Sequence, residues 1–84
     1  MKLVFSDAAW EDYRHWQAHD TPRFARINEL IGAIQCDPYA GIGKPEALRH
    51  ALEGFWSRRI SRDQRIVYGI EGDVLMIALL RMFE

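Results

Sequence analysis

Glu46 stands in a loop rich in glycine and proline, Gly41-Ile42-Gly43-Lys44-Pro45-Glu46, and a series of arginines follows it: Arg49, Arg58, Arg59 and Arg65. A reaction at a phosphodiester needs this pair of residue types. A carboxylate takes a proton from the attacking oxygen, and fixed cations hold the charge that develops on phosphorus. Guanidinium suits the second task because its planar donors match two phosphate oxygens and it stays charged at any working pH. Lys44 and Arg49 suit neighbouring phosphates, and His50 could shuttle protons near neutral pH. By strand alternation Ser57 and Arg59 share one face and Arg58 and Ile60 the other, so Arg58 is expected to be a solvated or partner-facing charge. Arg81, at the end of the last apolar run, is expected to frame the same pocket.

Other chemistries find less support. Three histidines, His15, His19 and His50, and one cysteine give no set with metal-ligand spacing, so neither a metal nor another cofactor is expected. Gly41-Ile-Gly-Lys has the wrong spacing for a nucleotide phosphate loop and lacks the hydroxyl after lysine. Cys36 has no assisting motif and reads as a residue at the edge of the core. Eleven Lys and Arg against twelve Asp and Glu leave a formal charge of −1, a balance unlike that of most nucleic-acid binders. The distribution is uneven, however. Acidic residues gather between Asp7 and Asp20 and arginines between Arg49 and Arg65, and a local basic face can still grip phosphate.

These groups must be held by a small number of elements. Eighty-four residues make one domain, spanning 1–84, and a hydrophobic share of 49% marks it as folded. Lys2–Phe5 reads as a strand. Ser6 caps a helix carrying Trp10, Tyr13 and Trp16 in one stripe, which should pack on a sheet. Thr21-Pro22 reads as cap and first residue of a second helix, whose buried face is Phe24, Ile27, Leu30, Ile31 and Ile34 and which stops at Asp37-Pro38. A long connection, 37–52, leads to strands at 55–60, 64–70 and 74–81, with turns at Ser61-Arg62-Asp63 and Glu71-Gly72-Asp73. The last strand is apolar on both faces and should lie inside the sheet. The class is α+β. No apolar run is long enough for a leader or a membrane span, and a single cysteine fits a reducing compartment, so the expected location is cytoplasmic, with no membrane partner.

The stretch Gly43-Lys44-Pro45-Glu46, Arg49-His50, Arg59 and Arg65 resembles the Txe/YoeB toxins of the RelE/ParE group, and the resemblance runs without gaps from Met1 to about Arg81. It implies a RelE-like fold: an N-terminal strand, a two-helix hairpin, then a three-stranded antiparallel meander completing a mainly antiparallel sheet. It implies a type II toxin that cuts messenger RNA on the ribosome without a metal and so inhibits translation. Glu46 would be the general base, and Arg59 and Arg65 would stabilise the scissile phosphate. The implied partners are a YefM-like antitoxin with a disordered C-terminal segment, the ribosome and its message, and operator DNA bound through the antitoxin. Members of the family are often homodimers.

The resemblance ends at Arg81-Met82-Phe83-Glu84, where the family closes on Arg-Tyr-His-Tyr or a near variant. Phe83 cannot donate a proton, and Glu84 brings a carboxylate toward an arriving phosphate. Loss of a general acid costs roughly 10² to 10⁴ in rate. Two alternatives therefore stand beside the nuclease: a catalytically weakened module that binds antitoxin or ribosome, and a gyrase poison of the related ParE type.

Overall fold

The computed structural model describes residues 1–83, and of Phe83 the backbone alone. The expectation that the Phe83 and Glu84 side chains stand beside the arginines falls outside the described residues. In chain order the elements are β1 (Lys2–Phe5), α1 (Asp7–His19), α2 (Thr21–Cys36), β2 (Glu46–Ala47), a short 3-10 turn (His50–Leu52), β3 (Trp56–Arg59), β4 (Gln64–Glu71) and β5 (Val74–Phe83). One five-stranded sheet has the order β1-β5-β4-β3-β2. β1 runs parallel to β5, and every other pair is antiparallel. β5 is thus interior, as its apolar faces require, with β1 on one side and β4 on the other.

Each helix starts on a defined hydrogen bond. Ser6 Oγ accepts from Ala9 N at 3.1 Å, which satisfies an otherwise orphaned amide of the first turn of α1. The same hydroxyl donates to Ala78 O at 2.7 Å, tying the helix start to β5. The cap of α2 differs from the expectation. Asp20, not Thr21, accepts from Arg23 N at 3.1 Å, and Thr21 and Pro22 lie inside the first turn. Asp20 N also donates to Trp16 O, so one residue closes α1 and opens α2. That shared cap leaves no slack in the connection, and the helices form a hairpin, joined further by Tyr13 Oη donating to Asn28 Oδ1 at 2.7 Å.

The hairpin buries Ala9, Ile27, Leu30, Ile31 and Ile34 against Ile60, Ile66, Tyr68, Leu75, Ile77 and Leu80. Fully burying one such aliphatic side chain contributes about 1.5–3 kcal/mol, and this one layer is the core. The aromatic stripe of α1 is only partly buried. Tyr13 and Trp16 pack against the core, whereas Trp10 remains 47% exposed beside Phe5 and Tyr13. In β5 the core positions run Leu75, Ile77 and then Leu80, because register shifts against β4 add residues to β5 around Val67.

Candidate active site

The connection between α2 and β3 is where the sequence and the fold meet. It is not structureless. Glu46–Ala47 forms a short edge strand on β3, an element that a two-residue stretch cannot announce by periodicity. Gly43 extends the pairing, its carbonyl accepting from Arg59 N. Gly43 adopts φ +85°, and a Cβ there would come within 2.9 Å of Leu30 Cδ2 and 3.1 Å of Arg58 Cβ. Only a glycine lets the loop lie this close to the helix and to β3.

Register sets the faces. Glu46 is opposite Ser57, Ser57 is opposite Val67, and Arg59 is opposite Arg65. Directly opposed residues share a face, so Glu46, Ser57, Arg59 and Arg65 stand together on the side of the sheet away from the helices. Ile66 and Tyr68 face the helical hairpin, and Arg58, opposite Ile66, faces it too. Arg59 thus lies on the face opposite Arg58, as strand alternation requires, and pairing with Arg65 brings the second guanidinium to that face.

Arg65 is 4% exposed, a buried charge held by geometry. Its Nε donates to Ser57 Oγ at 2.8 Å, and its Nη2 donates to Lys44 O at 2.7 Å and Ser57 O at 3.2 Å. Arg59 is half-buried, with its backbone tied at both ends: the amide to Gly43 O, and the carbonyl to Arg26 Nη2 at 3.3 Å. Glu46 is exposed on the edge strand, one register step from the residue that Arg65 grips. A base that must meet a macromolecular substrate has to be reachable, and a cation that stabilises charge works best when fixed and shielded from water.

The remaining expected residues divide. Lys44, Arg49 and His50 are all exposed on the same connection as Glu46. Lys44 (φ +52°) and His50 (φ +58°) both take the left-handed conformation, which turns the chain sharply on either side of β2. Arg81 is engaged elsewhere. Its Nη2 lies 3.5 Å from Asp12 Oδ1, and its guanidinium sits over the Trp16 ring at 5.2 Å, so it clasps α1.

Arg58 requires a correction. Expected at the surface, it is completely buried on the helix side. Its Nε donates to Tyr68 Oη at 3.1 Å, Nη1 to Ile42 O at 3.2 Å, and Nη2 to Ala40 O at 2.9 Å and to Asp37 O. Tyr68 Oη in turn donates to Pro38 O at 2.6 Å. Burial pushes the Tyr68 hydroxyl above its ordinary pKa, and the Arg58 guanidinium opposes that shift. Alternation did place Arg58 with Ile60 on one face, and Ile60 is core. A guanidinium is tolerated on that buried face because three backbone carbonyls and the Tyr68 hydroxyl satisfy it. Among the described residues no three His, Cys, Asp or Glu side chains gather as a metal site. Nor is any described helix long and apolar enough to cross a membrane.

This order of strands against a helical hairpin is a fold shared with solved bacterial toxins. The chain superimposes over its whole length on a YoeB/ParE toxin from Agrobacterium tumefaciens, with a TM-score of 0.95, 41% identity and 99% of that chain covered. It also superimposes over its whole length on a chain of the heterotetrameric YoeB–YefM toxin–antitoxin complex from Staphylococcus aureus, with a TM-score of 0.92, 36% identity and 98% of that chain covered. The protein belongs to the YoeB-like toxins of bacterial type II toxin–antitoxin systems, whose family model matches residues 5–83. It is 48% identical over 81 residues to the toxin YoeB of Escherichia coli K12, covering 96% of both chains.

Proposed function

We propose that this toxin is an endoribonuclease that cleaves messenger RNA on the ribosome by internal attack of the ribose 2′-oxygen. Glu46 accepts the 2′-hydroxyl proton as that oxygen bonds to phosphorus. Arg65 and Arg59 hold the charge that accumulates on the non-bridging oxygens. The bond from phosphorus to the 5′-oxygen breaks, leaving a 2′,3′-cyclic phosphate and a 5′-hydroxyl that takes up a proton. Neither water nor a metal enters this stoichiometry. Lys44, Arg49 and His50 line the approach to Glu46 and suit flanking phosphates.

The observation that carries this reading is the link Glu46–Ser57–Arg65, in which the base is paired in register with the residue that holds the phosphate-binding guanidinium. The Staphylococcus aureus relative is solved both as a YoeB dimer and with its YefM antitoxin, which supports a homodimer and a YefM-like antitoxin here. Operator DNA would be reached through that antitoxin, and the cytoplasm is the compartment where ribosome and message meet. The test is 5′-end mapping of transcripts after induction of wild type and Glu46→Gln. New in-frame ends with wild type alone support the reading, and identical maps reject it.

The terminal Phe83-Glu84 favours a second reading, a module that binds antitoxin or ribosome while cleaving slowly or not at all. Ribosome association without new 5′ ends would select it. Topoisomerase-linked DNA breaks without either would select a gyrase poison.

A further inference from the structure

From the Arg58 and Tyr68 contacts we infer that these two residues are positioning residues for Glu46, an assignment that rests on the ribonuclease reading above. The segment 37–44 has no helix or strand of its own to satisfy its carbonyls. Arg58 takes the carbonyls of Asp37, Ala40 and Ile42, and Tyr68 takes that of Pro38. Arg65 takes the carbonyl of Lys44 from the opposite face of the sheet. The loop is therefore bracketed from both sides immediately before Glu46. Gly41 and Gly43 allow the approach: a Cβ on Gly41 would meet Arg58 Nη1 at 3.2 Å, and one on Gly43 would meet Arg58 Cβ at 3.1 Å. Glu46 itself opens an edge strand only two residues long, continued by one backbone hydrogen bond on each side, so the loop before it depends on the side-chain bracket.

A buried guanidinium is an expensive way to fill a core, since apolar side chains of similar volume often serve stability as well or better. What an apolar side chain cannot do is pin three carbonyls of one loop. The Arg58 charge never reaches the substrate. It acts by holding the base within the narrow range of positions from which proton transfer is fast, where a misplacement of about 1 Å costs on the order of 10²-fold.

Arg58→Met keeps an unbranched apolar stem and removes the donors, and Tyr68→Phe removes one hydroxyl while the other three Arg58 hydrogen bonds stay in place. Both variants, wild type, Glu46→Gln and the combinations with Glu46→Gln are compared in two assays. The first is amide hydrogen exchange. Amides in 39–47 exchange at least about tenfold faster in both variants while those of α2 stay protected, because only the bracket has opened. The second is cleavage of ribosome-bound message. kcat falls by roughly 10- to 100-fold with KM nearly constant, and neither change slows Glu46→Gln further, because each acts through that carboxylate. Unchanged exchange in 39–47 would overturn the inference whether or not the protein cleaves RNA. So would additive losses in the Glu46→Gln background, which mark a merely structural role. Cleavage by Glu46→Gln at the wild-type rate would reject the general-base reading itself and this role with it.

Discussion

Arg65 reaches across to Ser57 on the neighbouring strand, its Nε donating to the serine hydroxyl at 2.8 Å in a buried contact. The guanidinium is thereby fixed before any substrate arrives, and its planar fork cannot be copied by an ammonium group. Arg65→Ala should lower cleavage by about 10²–10³, the range seen on removing one preorganised donor, and Arg65→Lys should recover little of it. Ser57→Ala should lose about tenfold or less, because the Ser57 and Lys44 carbonyls still hold the guanidinium. Single-turnover rates on ribosome-bound message would measure all three. A fully active Arg65→Lys would show that point charge alone suffices.

Lys44 offers a contrast on the same loop. Its carbonyl is fixed by Arg65, but its side chain is exposed. Lys44→Ala should weaken RNA binding several-fold and flatten its salt dependence while the bound-state cleavage rate changes little. A loss of rate as large as that of Arg65→Ala would put Lys44 in the reaction itself.

Tyr68 gives the fold a dependence on alkaline pH. Its hydroxyl is buried and held above the ordinary tyrosine value of 10.0, so the folded state retains a proton that the unfolded state gives up. The stabilisation is complete below about pH 10 and is lost as pH rises from there through the folded-state pKa. Thermal melts between pH 9 and 11 should fall more steeply for wild type than for Tyr68→Phe. Parallel slopes would assign the alkaline loss to another group.

Leu30 belongs both to the core and to the wall against which Gly43 packs. Leu30→Ala should cost about 2–5 kcal/mol, the usual range for a buried leucine. In a domain of this size that corresponds to a fall in Tm of about 4–8 °C per kcal/mol. Gly43→Ala should destabilise as well, since it adds a methyl against Leu30 and places a side chain at φ +85°. Differential scanning calorimetry would decide. A Gly43→Ala protein melting at the wild-type temperature would mean the loop can lift without cost.

The C-terminal residues address a different term. Phe83→His would supply a group able to carry a proton near neutral pH, and Glu84→Tyr would remove a carboxylate and leave a donor hydroxyl. If the natural protein is slowed by their absence, the double variant should cleave faster with binding little changed, and the two changes need not add. A wild type already as fast as the double variant would show that another group serves as acid, with His50 the first to examine.

The sequence by itself determined the elements whose signals are local. β1, both helices and the strands at 56–59, 64–71 and 74–83 follow from periodicity, caps and turn residues, and the boundaries differ from expectation by one or two residues. It also separated Arg59 from Arg58, because alternation along a strand is fixed by backbone geometry, whereas the pairing of Arg59 with Arg65 needed the sheet. Glu46, Arg59 and Arg65 are legible from their residue types and from resemblance to a known loop. Tertiary structure alone decided the rest. Strand pairing turned Glu46–Ala47 into an edge strand, which no two-residue pattern reveals. It buried Arg58 beneath the helices, because carbonyls contributed by residues up to 21 positions away satisfy the charge. It drew Arg81 to Asp12 and Trp16 on α1 instead of to the pocket. For both arginines a long side chain found partners distant in sequence, and where a guanidinium goes depends on contacts that exist only once the chain has closed on itself.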